Sequence, residues 1–215
     1  MMINKIGTNL KDIETPELII DLDILDANVN TVSKAYSDSH LKMRAHTKNL
    51  KSPYLARRQV EAGGSNGGVC TAKVSEAEVM VEGGFDNILI ANQVVSDDKI
   101  ERLCSLAKFA DMKVGIDNID NLNNLSKFAI KHNVILGVLV EINTSMFRCG
   151  VRSSSHAVEL AKRAVDLEGI IFKGVMSHQS IKGYTTEEER WKIGEEYLDI
   201  CLESKRAIEE AGMDV

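Results

Sequence analysis

The chain has 215 residues, of which 44% are hydrophobic and 27% charged, with a net charge of −6 at pH 7. That length supports one domain with its own core, and the mild acidity argues against nucleic acid or an anionic membrane as the main partner, because both reward basic surfaces. No apolar run approaches the ~20 residues that cross a bilayer, the opening MMINKIGTNLKDIETP has no apolar leader stretch, and the four scattered cysteines form no C-x-x-C pair, so a cytoplasmic protein with reduced thiols is expected.

In chain order, ELIIDLD (17–23) reads as a strand, followed by a helix over about 24–36. LKMRAHTK (41–48) is the next strand, and a helix begins at Ser52 with Pro53 in its first turn, a favoured slot for proline. GGVCTAKV (67–74) is a strand. The helix after it has Ser75 and Glu78 at capping-box spacing and ends at Gly83 and Gly84. NILIAN (87–92), MKVGIDN (112–118), VILGVLVEIN (134–143) and IIFKGVMSH (170–178) are strands. Helices over about 97–110, up to 132 and over about 155–168 separate them. Thr186 and Glu189 cap a last helix that reaches about 211.

Strands spaced ~30 residues apart with helices between them build a parallel sheet from βαβ units. Their richness in Val and Ile suits strands covered on both faces. An open doubly wound sheet and a (β/α)8 barrel both fit. The absence of G-x-G-x-x-G after any strand weakens the first as a nucleotide binder. In both folds chemistry gathers at the carboxyl ends of strands. Those ends read HTK, TAK, ANQ, DN, EIN and SHQ behind largely apolar strand bodies, which suggests a polar site on an apolar floor.

The segment 41–48 alternates Leu41, Met43, Ala45 and Thr47 with Lys42, Arg44, His46 and Lys48. A lysine buried near a barrel mouth loses hydration, and neighbouring cations press its pKa down further, toward the neutral amine that forms a Schiff base. The same surroundings attract a phosphate or a carboxylate. On residue chemistry alone, a solvated outer face explains these charges too, although it fits poorly on a central strand of a parallel sheet. Ionic binding of a phosphorylated metabolite by Lys48 is a further alternative. Of the cysteines, Cys149 is the best placed to touch the chemistry.

TPELIIDLDILDANV, LKMRAHTKNLKSPYLARRQVEAGG, GGVCTAKVSEAEVMVEGGFDNILIANQVV and VLVEINTSMFRCGV, in this order, resemble the D-threonine aldolase / D-serine dehydratase family. These are fold type III pyridoxal-phosphate enzymes with an alanine-racemase-like barrel. The resemblance implies that Lys48 carries the cofactor as a Schiff base and then acts as a base on the substrate. It implies cofactor contacts from His46, Arg148 and His178. Arg148 is also placed to bind the substrate carboxylate, with Gln93 and Asn143 as pocket amides. Ala45 stands where the family usually has proline, and Leu50 where it usually has histidine. The implied fold is an incomplete TIM barrel with about six of eight strands. Residues 1–38 form an N-terminal strand and helix, residues 39–215 the partial barrel, and the family's C-terminal β-domain is absent. Beyond the sixth barrel strand the family keeps the glycine-rich phosphate loop and, in metal-dependent members, the divalent-metal ligands; this sequence offers no metal site of its own. The implied activity is a PLP-dependent lyase on D-3-hydroxy amino acids, of the D-threonine aldolase or D-serine dehydratase type. A racemase-like reaction and a non-catalytic PLP-binding barrel are the alternatives. A small amino acid is the implied ligand and a homodimer the implied assembly.

Overall fold

In the computed structural model, which describes residues 6–215, six parallel strands form one sheet in the order β1-β2-β3-β4-β5-β6. Residues 1–5, part of the opening segment and of the expected unit 1–38, lie outside the described residues. The strands are β1 Met43–His46, β2 Ser65–Thr71, β3 Asn87–Ile90, β4 Asp111–Ile116, β5 Leu136–Ile142 and β6 Ile170–Ser177. The helices are α1 Leu22–Ser37, α2 Thr47–Leu50, α3 Pro53–Glu61, α4 Val74–Glu82, α5 Asp97–Leu106, α6 Ile119–His132, α7 Ser154–Asp166 and α8 Glu187–Glu210. A doubly wound sheet reverses its strand order at a switch point. Here each strand lies beside its predecessor without reversal, which is the winding of a barrel wall. β1 and β6 are the two edges of the sheet among the described residues, so the wall is open.

The pleat sends alternate side chains to opposite faces. Ile88, Ile90, Met112, Val114, Ile116, Val138 and Val140 are at most 1% exposed and form the core beneath the helices. Their neighbours Leu89, Gly115, Leu139 and Glu141 therefore share the concave face. Gly115 keeps that face shallow, since a Cβ there would meet Met176 Sδ at 3.1 Å.

Three expectations are corrected. The strand at 17–23 does not form: residues 17–21 lie outside any strand, and Leu18, Ile19 and Ile20 are exposed. β-branched residues favour strands only where a neighbouring strand takes up their hydrogen bonds, and none lies there among the described residues. Asp21 instead caps α1, its carboxylate accepting from Ile24 N at 3.0 Å. The Ser75–Glu78 capping box is also not formed. Lys73 is the N-cap of α4 and makes no side-chain cap bond. Glu76 accepts from Ala72 N at 2.8 Å, and Glu78 pairs with Arg102 at 2.5 Å. β1 ends at His46 rather than Lys48, because α2 begins at Thr47. By contrast, Thr186 and Glu189 form the expected capping box at the start of α8.

Candidate active site

The carboxyl ends of the six strands form one mouth, and the four basic residues of 41–48 take four different roles around it. Lys42 Nζ donates to Tyr36 O and Ser37 O, both at 3.1 Å, closing the end of α1. Arg44 points the other way, toward the start of β3, where Nη1 donates to Asn87 Oδ1 at 2.9 Å. His46 becomes the N-cap of α2, its Nδ1 accepting from Lys48 N at 3.4 Å. An imidazole in that role is neutral, and burial, then the nearby Lys48 charge, pushes its pKa below the ordinary 6.5.

Lys48 sits in the first turn of α2 and is exposed, unlike the buried amine expected. The strand ends two residues earlier and the open wall leaves this side of the mouth in water, so its desolvation is small. Among the described residues its ammonium joins no ion pair, whereas Lys51, the left-handed C-cap of α2 at φ 52°, lies 3.5 Å from the carboxylate of Glu76. His178 follows the opposite edge strand, β6, and lines a recess with Arg148 and Cys149.

The second half of the mouth is a network centred on β5. Glu141, 3% exposed, accepts from Gln93 Nε2 at 2.6 Å through Oε2 and from Cys149 Sγ at 2.9 Å through Oε1. Arg148, exposed on the following turn, donates from Nε to Cys149 Sγ at 3.5 Å. Asn143 is committed to the same turn, donating from Nδ2 to Cys149 O at 3.0 Å and accepting from Phe147 N at 3.4 Å. Asp117 accepts from Gly150 N at 2.8 Å. Glu141, Asn143, Arg148, Cys149 and His178 line a recess of about 10 Å³, room for no more than about one water. A ligand of amino-acid size therefore does not fit inside this recess. A cavity of about 690 Å³ lies on the shoulder beside α6, lined by residues such as Val95, Asp117 and Asn121. Among the anticipated site residues, Gln93 and Asn143 thus spend their amides on the scaffold. Glu141 and Asp117 were not among the anticipated catalytic or binding residues; the signal available was their place in the polar ends EIN and DN, each a single acid after the apolar runs VILGVLV and MKVGI.

A pyridine-ring aldehyde needs a reachable amine, an apolar floor and polar groups at the rim. The exposed Lys48, the concave-face residues Leu89, Leu139 and Met176 beside Gly115, and the strand-end groups His46, His178 and Arg148 are of the kinds that would suit the ring and its aldehyde; the phosphate has no assigned partner among them.

The family model for the alanine racemase N-terminal domain matches residues 20–213. A D-threonine aldolase from Arthrobacter sp. is 34% identical over 209 residues, covering 96% of this chain and 54% of the relative. A 3-hydroxy-D-aspartate aldolase from Paracoccus denitrificans is 39% identical over 175 residues, covering 80% of this chain and 45% of the relative. The crystal structure of D-threonine aldolase from Filomicrobium marinum superposes with a TM-score of 0.90 at 36% identity, covering 95% of this chain and 55% of that one. The chain thus spans about half the length of the relatives it matches.

Proposed function

The chain belongs to the alanine racemase N-terminal-domain family, and from that premise we propose that it is the pyridoxal-phosphate-binding part of a lyase acting on D-3-hydroxy amino acids. Relatives named as aldolases of D-threonine and 3-hydroxy-D-aspartate support the substrate class. The observation that carries the reading is Lys48, an amine at the mouth, in no ion pair among the described residues and next to an imidazole kept neutral. Bound there, the cofactor supplies an electron sink for the carbanion left when a bond to the α-carbon breaks.

The residues of this chain would do the rest. Lys48 holds the cofactor and, once released, moves a proton at the substrate: from the β-hydroxyl in carbon–carbon cleavage, or at the α-carbon in dehydration. His46 stays neutral beside it and adds no second cation to compete for the proton. The Arg148 guanidinium takes the α-carboxylate, for which its fork is suited. His178 borders the ring from the far edge. The same reading includes a cytoplasmic setting, which suits four free thiols, and pairing with a second copy, which the two open sheet edges would accommodate. No helix among the described residues is long and apolar enough to cross a membrane.

Borohydride reduction in the presence of pyridoxal phosphate tests the assignment. The pyridoxyl label is expected on the peptide containing Lys48, lost in Lys48→Ala and retained in Lys51→Ala, whose ammonium is held by Glu76. A label on any other lysine, or one that survives Lys48→Ala, overturns it.

A further inference from the structure

We infer that Glu141 is a positioning residue which, through the Cys149 thiol, holds the Arg148 guanidinium at the mouth for the α-carboxylate of the substrate. The inference rests on the reading above, in which Arg148 binds that carboxylate.

A carboxylate as buried as Glu141 is strongly destabilising unless its oxygens are bonded. Both are used, by Gln93 Nε2 at 2.6 Å and by Cys149 Sγ at 2.9 Å. A thiol has one proton to donate and a sulfur that accepts. Cys149 uses both, donating to Glu141 and accepting from Arg148 Nε at 3.5 Å. The chain of bonds therefore runs guanidinium, thiol, carboxylate, and it requires the thiol to keep its proton. Burial and the bond to Glu141 both raise the thiol pKa, in agreement.

The turn is fixed from two further sides, by Asp117 on Gly150 N at 2.8 Å and by Asn143 on Cys149 O at 3.0 Å. What is left free is the outer end of Arg148: among the described residues its two Nη groups have no protein partner, and they are the two donors a carboxylate would take. Gln93 then has a defined role, since only a donor at that place satisfies the second oxygen of Glu141.

The test titrates the pyridoxal-phosphate-loaded chain with D-threonine and with D-threoninol, which keeps the amine and hydroxyl but lacks the carboxylate, reading the cofactor absorbance. Glu141→Gln and Cys149→Ala are expected to raise the half-saturating D-threonine concentration roughly tenfold, the effect of weakening one charge-assisted hydrogen bond. D-threoninol should shift by less than about twofold in the same variants. Cys149→Ser, whose hydroxyl can accept from Arg148 and donate to Glu141, should restore D-threonine affinity. Borohydride labelling at Lys48 should remain full in all three. Equal weakening of both ligands, or an unchanged D-threonine affinity in a fully labelled variant, overturns the inference and leaves the cofactor assignment standing. A wild-type chain that takes no label at Lys48 overturns the proposed function, and this inference with it. Where Glu141→Gln fails to fold, the Cys149→Ala and Cys149→Ser pair decides.

Discussion

The His46 imidazole sits where several charges meet. Burial is the largest influence on it, followed by Lys48; both lower its pKa, as does His178 to a smaller degree, while Glu76 and a bond to the Cys70 backbone pull the other way. The net direction is down from 6.5, so the folded chain binds this proton less readily than the unfolded one. The stability associated with a neutral His46 is therefore present above that pH and is lost as the pH falls below it, toward the folded pKa. Replacing Lys48 by Met removes one of the cations that disfavour protonation, and the His46 titration midpoint, followed by NMR of the imidazole ring, should rise. A midpoint unmoved by Lys48→Met would contradict the placement of the two side chains in one mouth. How far such residues could be read from sequence depended on what surrounds them. Lys48 and His46 stood out because they closed an alternating strand. That alternation also grouped them with Lys42 and Arg44, which the structure sends to the end of α1 and to Asn87. Shared face did not mean shared neighbourhood, because a tilted wall carries the two ends of a strand apart. Glu141 was visible only as a polar strand end, since its partners come from residues 93 and 149 and no local pattern links them.

At the level of elements, the turn between β5 and α7 shows how backbone shape holds the site. Gly150 has φ +92°, and a Cβ there would come within 2.7 Å of Asn143 N and 2.9 Å of Ile142 C. Gly150→Ala should therefore combine left-handed strain with a backbone clash and destabilise the chain by about 1–3 kcal/mol, read from the urea midpoint. Gly67, at φ +81° with nothing within 4 Å of its missing Cβ, is the control: Gly67→Ala carries the strain without the clash and should cost about 1 kcal/mol. Equal losses at the two sites would mean that close packing at Gly150 contributes nothing. The repeating ladder was legible because apolar strand bodies and glycine or proline punctuation recur at each step. Thr186 and Glu189 were legible as a cap because the Glu189 carboxylate stays at the helix start, where Thr185 and Thr186 both donate to it. The spacing of Ser75 and Glu78 was equally suggestive and failed, because Arg102 on α5 claims the Glu78 carboxylate and the N-cap of α4 falls two residues earlier, at Lys73. ELIIDLD failed for the converse reason: its residues fit a strand, but among the described residues no strand lies beside it.

Across the whole molecule, burial falls from the centre of the sheet toward its ends. Ile88, Ile90, Val114, Ile116, Val138 and Val140 on β3, β4 and β5 are fully buried, while β1 and β6 each have one free edge among the described residues. α1 is the least anchored helix of its length: Ser33 is its one buried residue, and Leu22 and Ile24 face solvent. Local opening follows this gradient, since segments with few buried contacts open at low free energy. Hydrogen exchange read by mass spectrometry should show α1 exchanging first, β1 and β6 next, and β3 to β5 last; an α1 as protected as β4 would refute the ordering. The mouth draws on both ends of that gradient. His46 and Lys48 follow edge strand β1 and His178 follows edge strand β6, whereas Glu141, Gln93 and Asp117 follow the buried centre. The amine that would carry the cofactor thus rests on the softer part of the wall, and the carboxylate-binding turn on the firmer part. A ligand that binds only the folded mouth stabilises most where opening was easiest. Pyridoxal phosphate should therefore slow exchange at β1 and α2 far more than at β4, and uniform protection, or none at β1, would place its contacts away from Lys48.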